Sequence, residues 1–126
     1  MRYAAYITRA EHWSFEARER RPISEGEWRE YAGSDSELRP LLWETCVDPK
    51  TGKKDLRVPV DRTWEWIADP IVANPQRPRT FEYNRGGVIV RAPDSELLGK
   101  ALAVARALSA NLIGDDEEVI GHSAAG

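Results

Sequence analysis

The apolar positions change period along the chain, and each change marks an element. In residues 3–8, Tyr3, Ala5 and Ile7 alternate with Ala4, Tyr6 and Thr8. A period of two carried by aromatic and branched types predicts a strand, here one buried on both faces. Residues 11–21 crowd charge around Trp13 and Phe15 with no clean period, so a polar loop anchored by the two rings is expected. A helix is expected from Ser24, because Ser24 and Glu27 stand at capping-box spacing behind Pro22 and Ile23. Trp28 and Tyr31 share one face of it and should point inward. Gly33, Ser34 and Asp35 close that helix, and residues 36–39 add a short turn.

Two apolar runs, residues 41–47 and 55–58, flank Asp48, Pro49, Lys50, Thr51 and Gly52. Pro followed by Gly in a polar stretch between apolar segments predicts a hairpin with a loose loop. Residues 63–67 put Trp64 and Trp66 on the same side if extended. Residues 69–79 hold Pro70, Pro75 and Pro78, which supply no backbone donors, and an irregular connection is expected there. A second hairpin is clearer. Phe81 and Tyr83 share a face, Asn84, Arg85, Gly86 and Gly87 supply a turn tolerant of positive φ, and Val88, Ile89 and Val90 return. Pro93 and Asp94 open the strongest helical pattern, in which Leu97, Leu98, Ala101, Leu102, Val104, Ala105 and Leu108 recur at three and four residues to about Ala110. Leu112 and Ile113 predict a short strand, residues 114–118 a turn, and Val119 and Ile120 its return. Residues 121–126 are small and polar and are expected to fray. No repeat or linker divides the 126 residues. The expectation is one α+β domain: a mixed or antiparallel sheet of about five or six strands with two main helices packed on one face.

Composition then narrows the class. With 41% hydrophobic and 31% charged residues the chain is too apolar for disorder and too charged for a membrane protein. No apolar run approaches the roughly 20 residues of a spanning helix. Residues 1–13 lack the apolar centre of a secretory signal, so a cytoplasmic location is expected. The lone Cys46 agrees with a reducing compartment and reads as a small core hydrophobe. A net charge of −3 opposes general nucleic-acid affinity. The charge is uneven, however. Residues 50–91 hold nine basic against five acidic residues, whereas Asp115, Asp116, Glu117 and Glu118 form an unrelieved acidic run.

Candidate chemistry is sparse. His12 has the residue type of a general base, yet no Ser, Cys or Asp stands near it in a nucleophile pattern, so packing or surface duty is expected. The acidic run with His122 holds donors suited to Ca²⁺ or Mg²⁺ but lacks the alternating spacing of an EF-hand loop. It reads as a solvated turn complementary to a basic partner surface. Gly86 and Gly87 lack the Walker spacing and a following helix, and form a turn rather than a phosphate cradle. Five Trp are many for this length; most belong in the core, and Trp64 and Trp66 are the candidates for an anchor facing a partner. No catalytic residue, metal or cofactor is expected. The competing expectations are an enzyme or ligand site assembled from His12, Glu44, Arg57 and Glu82, and a homodimer that covers its own aromatic patch.

The opening Tyr6, Ile7, Thr8, Arg9 and Ala10 with Trp13, followed by residues 22–28 (PISEGEW), resembles a group of small bacterial proteins. The later residues are similar to theirs as well: Phe81 and Tyr83, residues 87–90, Pro93 with Asp94, the helix through Leu97 and Leu108, and residues 112–118. Residues 41–79 carry no part of the likeness. Members of such groups resemble immunity proteins encoded beside type VI or contact-dependent toxins. The resemblance therefore implies a non-catalytic antitoxin whose partner is a cognate protein toxin, and it carries over no catalytic residue.

Overall fold

A computed structural model describes residues 3–41, 43–53, 56–59, 62–67, 79–91, 93–116 and 118–121. In chain order the elements are β1 (Ala4–Thr8), α1 (Phe15–Arg20), α2 (Glu25–Ser34), β2 (Leu38–Pro40), β3 (Trp43–Cys46), β4 (Leu56–Pro59), β5 (Thr63–Trp66), β6 (Thr80–Asn84), β7 (Gly87–Arg91), α3 (Ser95–Ala107), β8 (Asn111–Gly114) and β9 (Val119–Gly121). The class is α+β, as expected. The sheet has seven strands rather than five or six, in the order β2-β5-β6-β7-β1-β8-β9, and every pairing is antiparallel. β3 and β4 form a separate two-stranded ribbon. The strand count was underestimated partly because β2, expected as a turn, is three residues long and buries only Leu38. One buried position has no period to read.

The helix α1 replaces the polar loop expected for residues 11–21. Ser14 caps it by accepting the Ala17 amide at 3.3 Å. Its buried residue is Arg18, only 4% exposed, so the helix buries a guanidinium rather than an apolar stripe. That guanidinium lies over the Tyr6 ring and donates to the Asn84 carbonyl and side-chain oxygens, both at 3.3 Å, and to the Trp13 carbonyl. All three partners lie outside the helix, which is why no periodicity announced it.

The other helices follow their sequence signals. In α2 the Ser24 hydroxyl accepts the Glu27 amide at 3.1 Å while the Glu27 carboxylate accepts the Ser24 amide at 3.2 Å. Trp28 is buried to 1% and its ring meets Phe81 with centroids 6.2 Å apart. In α3 the Asp94 carboxylate accepts the Leu97 amide at 2.9 Å, and Leu97, Ala101, Val104 and Ala105 are buried. These side chains join one cluster with Trp28 and Ala32 of α2 and with Ala5, Ile7, Val88, Val90, Phe81 and Leu112 of the sheet. Register explains the selection, since Ala5 faces Val90 and Ile7 faces Val88 across β1 and β7. Each fully buried Val, Leu, Ile or Phe contributes about 1.5–3 kcal/mol, against about 0–1 kcal/mol for an exposed ion pair, so this cluster and not the surface charges holds the sheet together.

A polar clamp closes one end of the cluster. The Lys100 ammonium of α3 donates to Asp35 Oδ2 and Glu37 Oε1, each at 2.7 Å, and the Tyr31 hydroxyl donates to the same Asp35 oxygen at 2.7 Å. Burial works to raise the Asp35 carboxyl, but the bonds from Lys100, Tyr31 and the Glu37 amide outweigh it and hold the group below its ordinary value. The expected irregular connection lies outside the described residues except for Arg79; of the tail expected to fray, residues 121–126, Gly121 ends β9 and the rest lies outside the described residues.

Candidate functional site

The turn joining β8 to β9 carries the acidic run, and it is tied to the start of β1. The Asp115 carboxylate accepts the Ala4 amide at 2.7 Å, and the Asp115 amide returns a bond to the Ala4 carbonyl at 3.1 Å. The Gly114 amide donates to the Glu118 carbonyl at 2.9 Å, and the Glu118 carboxylate accepts the Tyr3 hydroxyl. A Cβ at Gly114 would overlap both the Glu118 carboxylate and the Tyr3 hydroxyl, so glycine is what lets the two meet. Burial pushes the Tyr3 phenol up to about 12, helped by its bond to Glu118 and by the charges of Glu118, Asp115 and Asp116. The bond from Tyr3 holds the Glu118 carboxyl low. At neutral pH Tyr3 is thus a protonated donor and Glu118 a carboxylate.

Asp116 and Glu118 are exposed on this turn and Asp115 is half-buried, while Glu117 lies outside the described residues. Val119 follows directly, 45% exposed, on β9, and β9 is an edge strand. Negative charge, an apolar side chain and a strand edge that no described strand pairs therefore stand together. Sequence reasoning singled out the charges but missed Tyr3, Ala4 and Val119. Tyr3 and Glu118 are separated by 115 positions, and no local window links them.

The tryptophans are placed differently. Trp64 and Trp66 share a face of β5, as their spacing requires, facing Pro40 and Leu38 across β2. That face belongs to the core. Trp66 is 9% exposed and donates to Glu37 at 3.3 Å with Arg79 over its ring, and Trp64 packs half-buried against the cluster. Their buried area serves the sheet, and Trp64 keeps a partly exposed side. His12 stacks on Trp13 and accepts the Ser14 amide at 3.0 Å through Nδ1, and Glu82 pairs with Arg91 at 3.1 Å. Glu44 and Arg57 occupy the separate ribbon. Cys46, expected in the core, is half-buried opposite Leu56, on a ribbon that no third strand joins among the described residues.

A shallow depression of about 500 Å³ lies between α2 and the end of α3. Arg9 and Glu27 line it and fill each other's bonding capacity, with contacts of 2.6 and 3.1 Å, while Arg9 also donates to the Leu108 carbonyl at 3.0 Å. The bond from Arg9, then that from the Ser24 amide, lowers the Glu27 carboxyl from 4.5 to about 2. A depressed carboxylate stabilises the fold fully above its unfolded value and loses that contribution as pH falls through the folded one. Thermal melting should therefore move down between pH 4.5 and about 2. Glu27→Gln should melt lower at neutral pH, by about 0.5–1 kcal/mol for a pair this exposed, and with a shallower acid dependence. An unchanged acid profile in Glu27→Gln would refute the assignment.

Among the described residues no three His, Cys, Asp or Glu side chains converge as metal ligands, and no helix is long and apolar enough to cross a membrane. Comparison with protein-family models, curated proteins and solved structures finds no match. The function must be argued from this chain's own surface.

Proposed function

We propose that the chain is a non-catalytic recognition protein, an immunity protein that binds and occludes a bacterial toxin in the cytoplasm. The observation carrying this reading is the β8–β9 turn, in which Asp115 and Glu118 are held by Ala4 and Tyr3 before any partner arrives. Bonds already made within the free protein spare the ordering cost that a flexible acidic loop would bear on association. Asp116 and Glu118 then steer a basic surface, and Val119 and the β9 edge receive it. A toxin acting on nucleic acid or nucleotides presents such a basic surface at its active site. Side chains of α2 and α3 join the core cluster of the sheet, and the partner is met at the β8–β9 turn.

The test is co-expression with the product of the adjacent gene. A complex on size exclusion and protection from the toxin are expected, with Asp116→Lys and Val119→Asp each weakening binding about tenfold. Absence of both complex and protection would remove the proposal.

A further inference from the structure

The ribbon is the continuation of the β2–β5 hairpin beyond the sheet. Leu38 faces Trp66 and Pro40 faces Trp64, and the Leu41 amide still bonds the Thr63 carbonyl at 2.9 Å. Continuing that register would put Trp43 opposite residue 61, but it faces Pro59. Arg62, at φ 60°, sits beside the break. The neighbouring strand β6 reaches this level and stops. Its Tyr83 amide bonds the Arg62 carbonyl at 2.9 Å, and Arg85 and Gly86 then turn the chain back into β7. No strand of the seven-stranded sheet therefore lies beside β3 or β4.

A lone two-stranded ribbon is marginal in water and gains stability from a third strand or a packed face. This one exposes apolar side chains: Leu56, 40% exposed, stands opposite Cys46, and Val47, 58% exposed, follows β3 directly. Among the described residues of its outer end, Lys50 and Lys53 are exposed against one carboxylate, Asp48, which accepts the Lys50 amide at 2.8 Å. The chemistry that completes such an arm is an acidic surface with an apolar contact and a strand edge open to pairing. The same molecule carries that combination in Asp116, Glu118, Val119 and the side of β9 that no described strand pairs.

We infer that the occupant is a second copy of this chain. The β3–β4 ribbon of each protomer lies against the β8–β9 turn of the other, in a closed dimer with a two-fold axis that makes the contact twice. Lys50 and Lys53 meet the acidic turn, and Val47 or Leu56 meets Val119. The inference rests on reading the turn as a recognition surface and gives it a resting ligand, which a toxin then displaces.

Light scattering on the full chain without any partner tests it. The expected result is twice the chain mass at high micromolar concentration, weakened by added salt. Reversing Lys50 and Lys53 to Glu should weaken self-association at least about tenfold, and adding Asp116→Lys in that background should restore it. All three positions are exposed, so circular dichroism and melting should match the parent. A monomer throughout the concentration range overturns the inference, as does a dimer indifferent to both the charge reversal and Val119→Asp. A monomer that still binds its toxin leaves the function proposed above intact, and a dimer that binds none removes that function while sparing the dimer.

Discussion

Trp28→Ala is expected to destabilise the protein by about 3–5 kcal/mol, enough to unfold a domain of ordinary stability at moderate temperature. The side chain is 1% exposed and lies between Phe81 of the sheet and Tyr31 one turn along α2. Its removal leaves a ring-sized void at the junction of helix and sheet, and the capping box that starts α2 cannot compensate, being worth about 1 kcal/mol. Trp28→Phe should behave otherwise. Among the described residues the buried indole Nε1 has no hydrogen-bond partner, so the exchange discards an unsatisfied donor while keeping most of the ring. A change within about 1 kcal/mol is expected, the lost volume opposing the gain. Urea unfolding of both variants decides the matter. If Phe costs as much as Ala, the indole nitrogen has a role that the packing does not account for.

Gly86→Ala should be the most damaging exchange of a single hydrogen for a methyl. Gly86 sits at φ 83°, where a side chain costs about 1–3 kcal/mol through backbone strain. The new Cβ would also stand 2.7 Å from the Arg18 carbonyl oxygen and 3.1 Å from Pro22. Backbone cannot step aside cheaply here, because the Gly86 carbonyl accepts the Ile23 amide at 2.9 Å and fixes the approach of α2. The same exchange at Gly99, in α3 with nothing within 4 Å, should stabilise by about 0.5–1 kcal/mol through helix propensity. A melting temperature that falls for Gly86→Ala and rises for Gly99→Ala is the expected pattern, and equal shifts would contradict it.

The features legible in the sequence are those whose partners sit within one turn of chain. Ser24 and Glu27 bond each other, Asp94 bonds the Leu97 amide, and Gly87 faces Asn84 across the second hairpin. Each left a local signature that the structure reproduces. The features that were not legible depend on distant partners. Helix α1 exists to seat Arg18 against Tyr6 and Asn84, β2 is a strand because Leu38 meets Trp66, and the acidic turn is rigid because Tyr3 and Ala4 reach it. The candidate site was legible as charge alone. Trp64 and Trp66 were read as anchors because their neighbours across β2 and β6 could not be known from residues 63–67.

The position of β1 has a consequence for how the molecule comes into being. Ala5 lies between a strand holding Val90 and a strand holding Gly114, so β1 is flanked by two strands that are synthesised well after it. On the ribosome it must wait unpaired until they emerge. Such non-local closure slows folding and leaves the nascent polypeptide open to aggregation and to capture by holdase chaperones.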